Sequence, residues 1–122
     1  MRPWLITSVL LIALAGCVTP SIPIPPPDPA KMVFAVSVDT GTASFNYPPE
    51  SNYVDAVVFI YNRDLGEGII ERAHPDGSVG PTQPIHALVG QQIVVSFQRD
   101  DQTVSTCVKL RDGQQSAGDY CQ

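Results

Sequence analysis

The side chains with the most chemical reach in this chain are three cysteines, Cys17, Cys107 and Cys121. A thiolate can attack an electrophile, ligate a metal or close a disulfide, and its neighbours decide which. Cys107 and Cys121 have neither Cys-x-x-Cys spacing nor a nearby His, which disfavours a redox or metal pair. The two histidines are His74, before Pro75 in a turn, and His86, after Ile85 in a short apolar stretch. With Asp76 they would offer donors to a metal, but their spacing matches no metal motif. Acidic residues recur at Asp64/Glu67, Asp76 and Asp100/Asp101. Gathered at one end of a domain they would suit Ca²⁺; spread over hairpin tips they are solvated charges. The sequence has no GxSxG, SxxK or HExxH motif and no phosphate-cradling glycine loop. The expectation is a non-enzymatic protein with no catalytic residues, no metal and no cofactor. Tyr47 and Tyr53 flank the Pro48-Pro49 loop. They read first as packing in the core or under the loop, and otherwise as the candidate contacts for a protein partner or a glycan.

Cys17 stands behind a different kind of segment. Met1-Arg2-Pro3-Trp4 carries one basic residue, and Leu5 to Ala15 is apolar throughout apart from Thr7 and Ser8. A bilayer span needs about 20 such residues, so this run has the length of a signal-peptide core instead. It ends in Leu14-Ala15-Gly16-Cys17, which resembles the bacterial lipobox at all four positions. The resemblance implies that Cys17 takes a diacylglyceryl group on sulfur, that residues 1–16 are removed, and that the new amino group is acylated. Two or three acyl chains, at about 0.8 kcal/mol per buried CH₂, anchor a protein stably. Val18, not Asp, follows the cysteine, which by resemblance to enterobacterial sorting implies the outer membrane. An ordinary secretory signal is the competing reading.

Residues 17–30 read as a lipidated cysteine and a linker. Val18 to Ala30 contains Pro20, Pro23, Pro25, Pro26, Pro27 and Pro29. Proline lacks the amide donor of a helix or central strand, so polyproline II is expected, spanning roughly 40 Å. Ile22 and Ile24 between the prolines could dock on the domain or on a neighbour. The chain is 122 residues long with 7 basic and 12 acidic side chains. Arg2 falls in the signal, so the mature chain is more acidic still. Such a balance offers no basic patch for nucleic acid or anionic lipid. Length alone excludes a large multidomain enzyme.

Residues 31–122 remain for one domain. Short runs rich in Val, Ile, Phe, Tyr and Thr alternate with turn signals, the pattern of an all-β protein. Met32 to Thr40 would place Met32, Phe34, Val36 and Val38 on one face, and Thr42 to Tyr47 would complete a hairpin. Val54 to Asn62 is nearly continuous in apolar residues, as for a strand covered on both faces. Further strands are expected at Ile69 to Ala73, Pro84 to Leu88, Gln92 to Gln98 and Thr103 to Arg111. Pro75-Asp76-Gly77-Ser78 and Arg99-Asp100-Asp101-Gln102 read as turns. The spacing predicts a single small antiparallel β-sandwich. From Val54 to Leu110 the Asp-Gly-Ser turn and the run Ile85-His86-Ala87-Leu88-Val89-Gly90-Gln91-Gln92-Ile93 resemble bacterial immunoglobulin-like and carboxypeptidase-regulatory-like modules. Gln91 stands where their pattern has Asp. The resemblance implies an Ig-like or transthyretin-like sandwich used for spacing, adhesion or docking.

Cys107 falls on the outward face of the last long strand, and Asp112 to Tyr120 could fold back to bring Cys121 to it. An even pair in an exported chain predicts a disulfide. The expected protein is therefore lipid-anchored in the bacterial cell envelope, its sandwich serving as a docking or structural module. Its expected partners are the membrane and an envelope protein or a second copy, and no nucleic acid. A glycan- or peptidoglycan-binding module and a self-assembling surface subunit are the alternatives.

Overall fold

The computed structural model describes residues 22–121; Cys17, the lipobox and Gln122 lie outside them. The described chain is an antiparallel β-sandwich of two four-stranded sheets. Its strands are β1 (Val33–Ser37), β2 (Thr42–Asn46), β3 (Val57–Asn62), β4 (Glu67–Arg72), β5 (Ile85–His86), β6 (Gln92–Arg99), β7 (Gln102–Lys109) and β8 (Gly113–Gln114). One sheet has the order β5-β2-β1-β8 and the other β4-β3-β6-β7. Short 3-10 turns at Pro29–Lys31 and Ser51–Tyr53 complete the regular structure.

Alternation decides what each strand buries. In β6, Ile93, Val95 and Phe97 face inward, while Val94 and Ser96 face out. In β7, Thr106 and Val108 are buried and Cys107 is on the other face, as the alternation predicts. Period-two burial of this kind fixes register, because a one-residue slip would turn the whole apolar set to water. The β6–β7 hairpin turns through Asp100, whose φ of 54° is a left-handed conformation that Asp tolerates better than most residues. The turn at Pro75–Ser78 is pinned by close approach. A Cβ at Gly77 would stand 1.8 Å from the carbonyl oxygen of Glu50, so only glycine fits there.

Two expectations need correction. Val54 to Asn62 is not covered on both faces. Its strand begins at Val57, and Val58, Ile60 and Asn62 point inward while Tyr61 is exposed and Val57 and Phe59 are half-buried. The apolar outer face reflects a surface that no other layer of the sandwich covers. Val38 does not join Phe34 on the core face; β1 ends at Ser37, and Val38 is exposed in the turn that Gly41 N–H closes on Ser37 O. The tail after Arg111 folds back to Cys107 as expected, and it is built into the fold on the way. Gly113–Gln114 forms β8 against β1, and Gln115 is buried.

Gln115 shows why the tail is held. Its backbone N–H donates to Met32 O, its side-chain amide donates to Lys109 O, and its side-chain carbonyl accepts from Arg111 N–H. A buried amide is tolerated because each polar group is paired. The tail thus ties β1 of one sheet to the end of β7 in the other. It continues to Tyr120, which bridges Val108, and to Cys121, whose N–H donates to Cys107 O. Cys107 and Cys121 form a disulfide across 5.3 Å between Cα atoms.

Closing a loop of about 15 residues contributes about 3 kcal/mol in the chain-entropy account. The Cys107→Ser/Cys121→Ser double variant should therefore lose about 3 kcal/mol in urea unfolding. An unchanged midpoint would mean that β8 and the Gln115 bonds hold the tail unaided.

Candidate functional site

The proline-rich segment is not free of the domain. From residue 22 onward it lies along β7 and the 47–53 loop, held by hydrogen bonds to its backbone. Gln102, at the start of β7, uses its side-chain amide as a strand would use a peptide group. Its Nε2 donates to Ile22 O and its Oε1 accepts from Ile24 N–H, both at 2.8 Å. Tyr53 Oη donates to Pro25 O at 2.6 Å, and Thr106 Oγ1 donates to Pro27 O at 2.6 Å. Asp28 N–H donates to Tyr47 Oη at 3.0 Å. Pro27 and Pro29 are buried. Asp28 then caps the turn at Pro29–Lys31 by accepting from Ala30 N–H. Proline suits this role, since it exposes a carbonyl acceptor without a donor that would need its own partner.

This arrangement shortens the expected spacer. The 40 Å estimate took all of Val18 to Ala30 as clear of the domain, but residues 22–29 are bound to it. The docking raised for Ile22 and Ile24 is made through their backbone groups on Gln102 and not through the Ile22 side chain, which is exposed, and nothing in the sequence named Gln102 or Thr106 as the receiving side chains.

Tyr47 and Tyr53 are brought together, but not as a surface contact. They are 4% and 1% exposed, so neither ring can stack on a sugar or enter a partner's pocket. The Tyr47 ring lies edge-on to Tyr53 at 5.7 Å, and Tyr53 stacks on Phe97 at 4.0 Å between centroids. Phe45 and Phe34 extend the cluster into the other sheet. The rings turn inward because the short turn at Ser51–Tyr53, closed by Tyr53 N–H on Glu50 O, folds the Pro48-Pro49 loop over the end of the core. Only the hydroxyls reach the edge, where the linker meets them.

The remaining candidates stay apart. His74 Nε2 lies 3.1 Å from Gly80 O in its own turn. His86 Nδ1 lies 2.6 Å from Glu67 Oε1, both exposed, and its side chain points away from buried Ile85 as expected. Asp76 accepts from the backbone and hydroxyl of Ser78, which lowers its pKa below the usual carboxylate range. Asp64 accepts from Gln92 N–H. Among the described residues, no three His, Cys, Asp or Glu side chains gather as a metal site.

The other feature is the outer face of β4-β3-β6. Register aligns Ile70, Phe59 and Ser96 in one row, and Gly68, Tyr61 and Val94 in the next. Ile70 is 69% exposed and Tyr61 44%. The far edge of the same sheet, β7, is capped by Asp119 and Cys121, whereas among the described residues β4 has no strand on its outer side. Sequence reading missed this surface because its residues lie in runs that read as buried core. Comparison with protein-family models, curated proteins and solved structures returned no match.

Burial, then the neighbouring Tyr47 and Glu50, raises the pKa of Tyr53; burial raises that of Tyr47 as well. An unfolded tyrosine ionises near pH 10. Above that pH the unfolded chain sheds protons that the native state retains, so stability contributed by the raised pKa values is present below pH 10 and lost as pH rises beyond it. Urea midpoints should fall between about pH 9.5 and 11 in the native sequence. Tyr47→Phe/Tyr53→Phe should flatten that alkaline limb, while costing roughly 1 kcal/mol per lost hydrogen bond at pH 7. An equally steep limb in the variant would place the titration elsewhere.

Proposed function

We propose that this chain is a lipid-anchored envelope protein whose β-sandwich docks, without catalysis, onto an envelope assembly. The observation that carries the reading is the clasp on residues 22–29. A segment that follows a lipobox is bonded to the domain by Tyr53, Tyr47, Thr106 and Gln102. With Cys17 lipidated, only residues 18–21 would separate the lipid from the clasp. Fully extended, Cys17 to Ile22 reaches at most about 18 Å. The sandwich would sit close to the headgroups in a restricted set of orientations, presenting the same faces each time. That is the need of a docking subunit and not of a free-ranging domain.

The disulfide supports export to an oxidising compartment. The outer face of exposed Ile70 and Tyr61 with half-buried Val94 supports protein contact, since apolar side chains clustered on a sheet surface are a common docking feature. The glycan reading loses its proposed contacts with the burial of Tyr47 and Tyr53. Outer-membrane placement rests on Val18 and the lipobox resemblance.

Two measurements test the proposal. Cys17→Ser should move the protein from the membrane fraction to the soluble fraction, and continued membrane retention would remove the lipid anchor. Crosslinking in intact cells, followed by pull-down through a C-terminal tag and mass spectrometry, should recover a stoichiometric envelope protein or a second copy. Recovery of peptidoglycan fragments alone would replace the docking reading with wall binding.

A further inference from the structure

We infer that the open edge of β4 pairs with β4 of a second copy, antiparallel and centred on Ile70. This names the partner of the docking face and rests on reading that face as a docking surface.

The backbone defines the geometry. Ala73 N–H donates to Ala56 O, and the register pairs Arg72 with Val57, Ile70 with Phe59 and Gly68 with Tyr61. In an antiparallel ladder alternate residues bond the same neighbour. Residues 67, 69, 71 and 73 therefore face β3, while Gly68, Ile70 and Arg72 turn their N–H and C=O groups to the open side. No described backbone group bonds them there. The strand has no proline, so nothing in it blocks strand addition.

The side chains select a second copy. With Ile70 opposite Ile70 of the second copy, Gly68 falls opposite Arg72 and Arg72 opposite Gly68. On the outer face, the rows Phe59–Ile70 of both copies join into one apolar strip. Gly68 has no side chain, so a shallow hollow lined by Phe59, Tyr61, Gly68 and Ile70 lies beside the Tyr61 ring, and Arg72 of the second copy, whose Nη1 donates to Asp55 O within its own chain, would exchange that bond for the ring. A guanidinium over an aromatic face is attractive, and the symmetry makes the contact twice. Glu67 and Glu71 lie on the inner side, held by His86 and by Gln83 N–H, and so leave the seam. A strand with Gly and Arg placed symmetrically about an exposed Ile is complementary to itself. Anchoring in one membrane would add to this by raising the local concentration of copies.

The test uses the full-length chain in its membrane. Facing residues in such a pair lie about 5.5 Å apart at Cα, within disulfide range. Ile70→Cys should convert under mild oxidation to a disulfide-linked dimer as the main species. Val38→Cys, more exposed than Ile70 but in a turn of the other sheet, should stay at the wild-type background. In detergent extracts the wild type should sediment as a dimer and Ile70→Lys as a monomer. Ile70→Cys crosslinking no better than Val38→Cys, or a monomeric wild type, would overturn the pairing. If pull-down still returned a different envelope protein in that case, docking would stand and only self-pairing would fall. Loss of both would remove the docking reading too.

Discussion

A phenol can be buried only if its hydroxyl finds a partner, and this constraint joins the linker to the core. Tyr47 and Tyr53 close the end of the sandwich where Phe97 of one sheet meets Phe45 of the other. Their rings contribute apolar area that a domain of this size needs. Their hydroxyls would each cost free energy if stranded there. The backbone of the proline segment meets that need: Pro25 O accepts from Tyr53 and Asp28 N–H donates to Tyr47. Residues 22–29 are thus structurally part of the domain, although their composition is that of a spacer. Withdrawing them would uncover the aromatic cluster and leave Thr106 Oγ1 without its acceptor.

The two edges of the β4-β3-β6-β7 sheet are treated differently, and the same few residues explain both. β7 carries Cys107, so the disulfide pulls the C-terminal tail alongside it, where Asp119 O and Cys121 N–H take up the free groups of Lys109 and Cys107. The linker covers the opposite end of β7 through Gln102. β4 receives no such cover from the described residues. Its glutamates reach inward to His86 and Gln83, which seals the side of the sandwich but leaves the outward backbone groups of Gly68, Ile70 and Arg72 bare. Among the described residues one edge of the sheet is closed and the other is open.

Much of the architecture was legible because strands of this kind are specified by local alternation. Ile93-Val94-Val95-Ser96-Phe97 and Val104 to Leu110 each placed their inward set correctly, and Cys107 followed from the same parity. The turns at Asp76-Gly77 and Asp100-Asp101 were legible from residue type. What failed depended on contacts distant in sequence. Tyr47 and Tyr53 flank a proline loop that admits either packing or exposed contact, and what decides for packing is Phe97, some forty or more positions away. Val57 to Tyr61 reads as buried on both sides, because an apolar outer face has the same letters as a covered one. β8 is two residues long and has no pattern of its own; it exists because Gln115 is bonded from three directions. The linker bonds use backbone carbonyls, which every residue carries, so composition could not show them.

The clasp and the bare edge bear on each other. A sheet edge recognises a partner mainly through backbone groups, which give affinity but little discrimination. Specificity must then come from side chains in register and from how the edge is presented. Register is supplied here by the alternation of Gly68, Ile70 and Arg72 against the fixed row of Tyr61, Phe59 and Val57. Presentation would come from the clasp: on the proposed lipid anchor at Cys17, a domain tied close to its lipid would meet neighbours in the membrane plane at a common height. A long free tether would let β4 meet any exposed strand in any orientation, at an entropic cost to each specific pairing. Binding residues 22–29 to the domain reduces that freedom before any partner arrives, so an edge with modest side-chain selectivity can still serve one docking geometry.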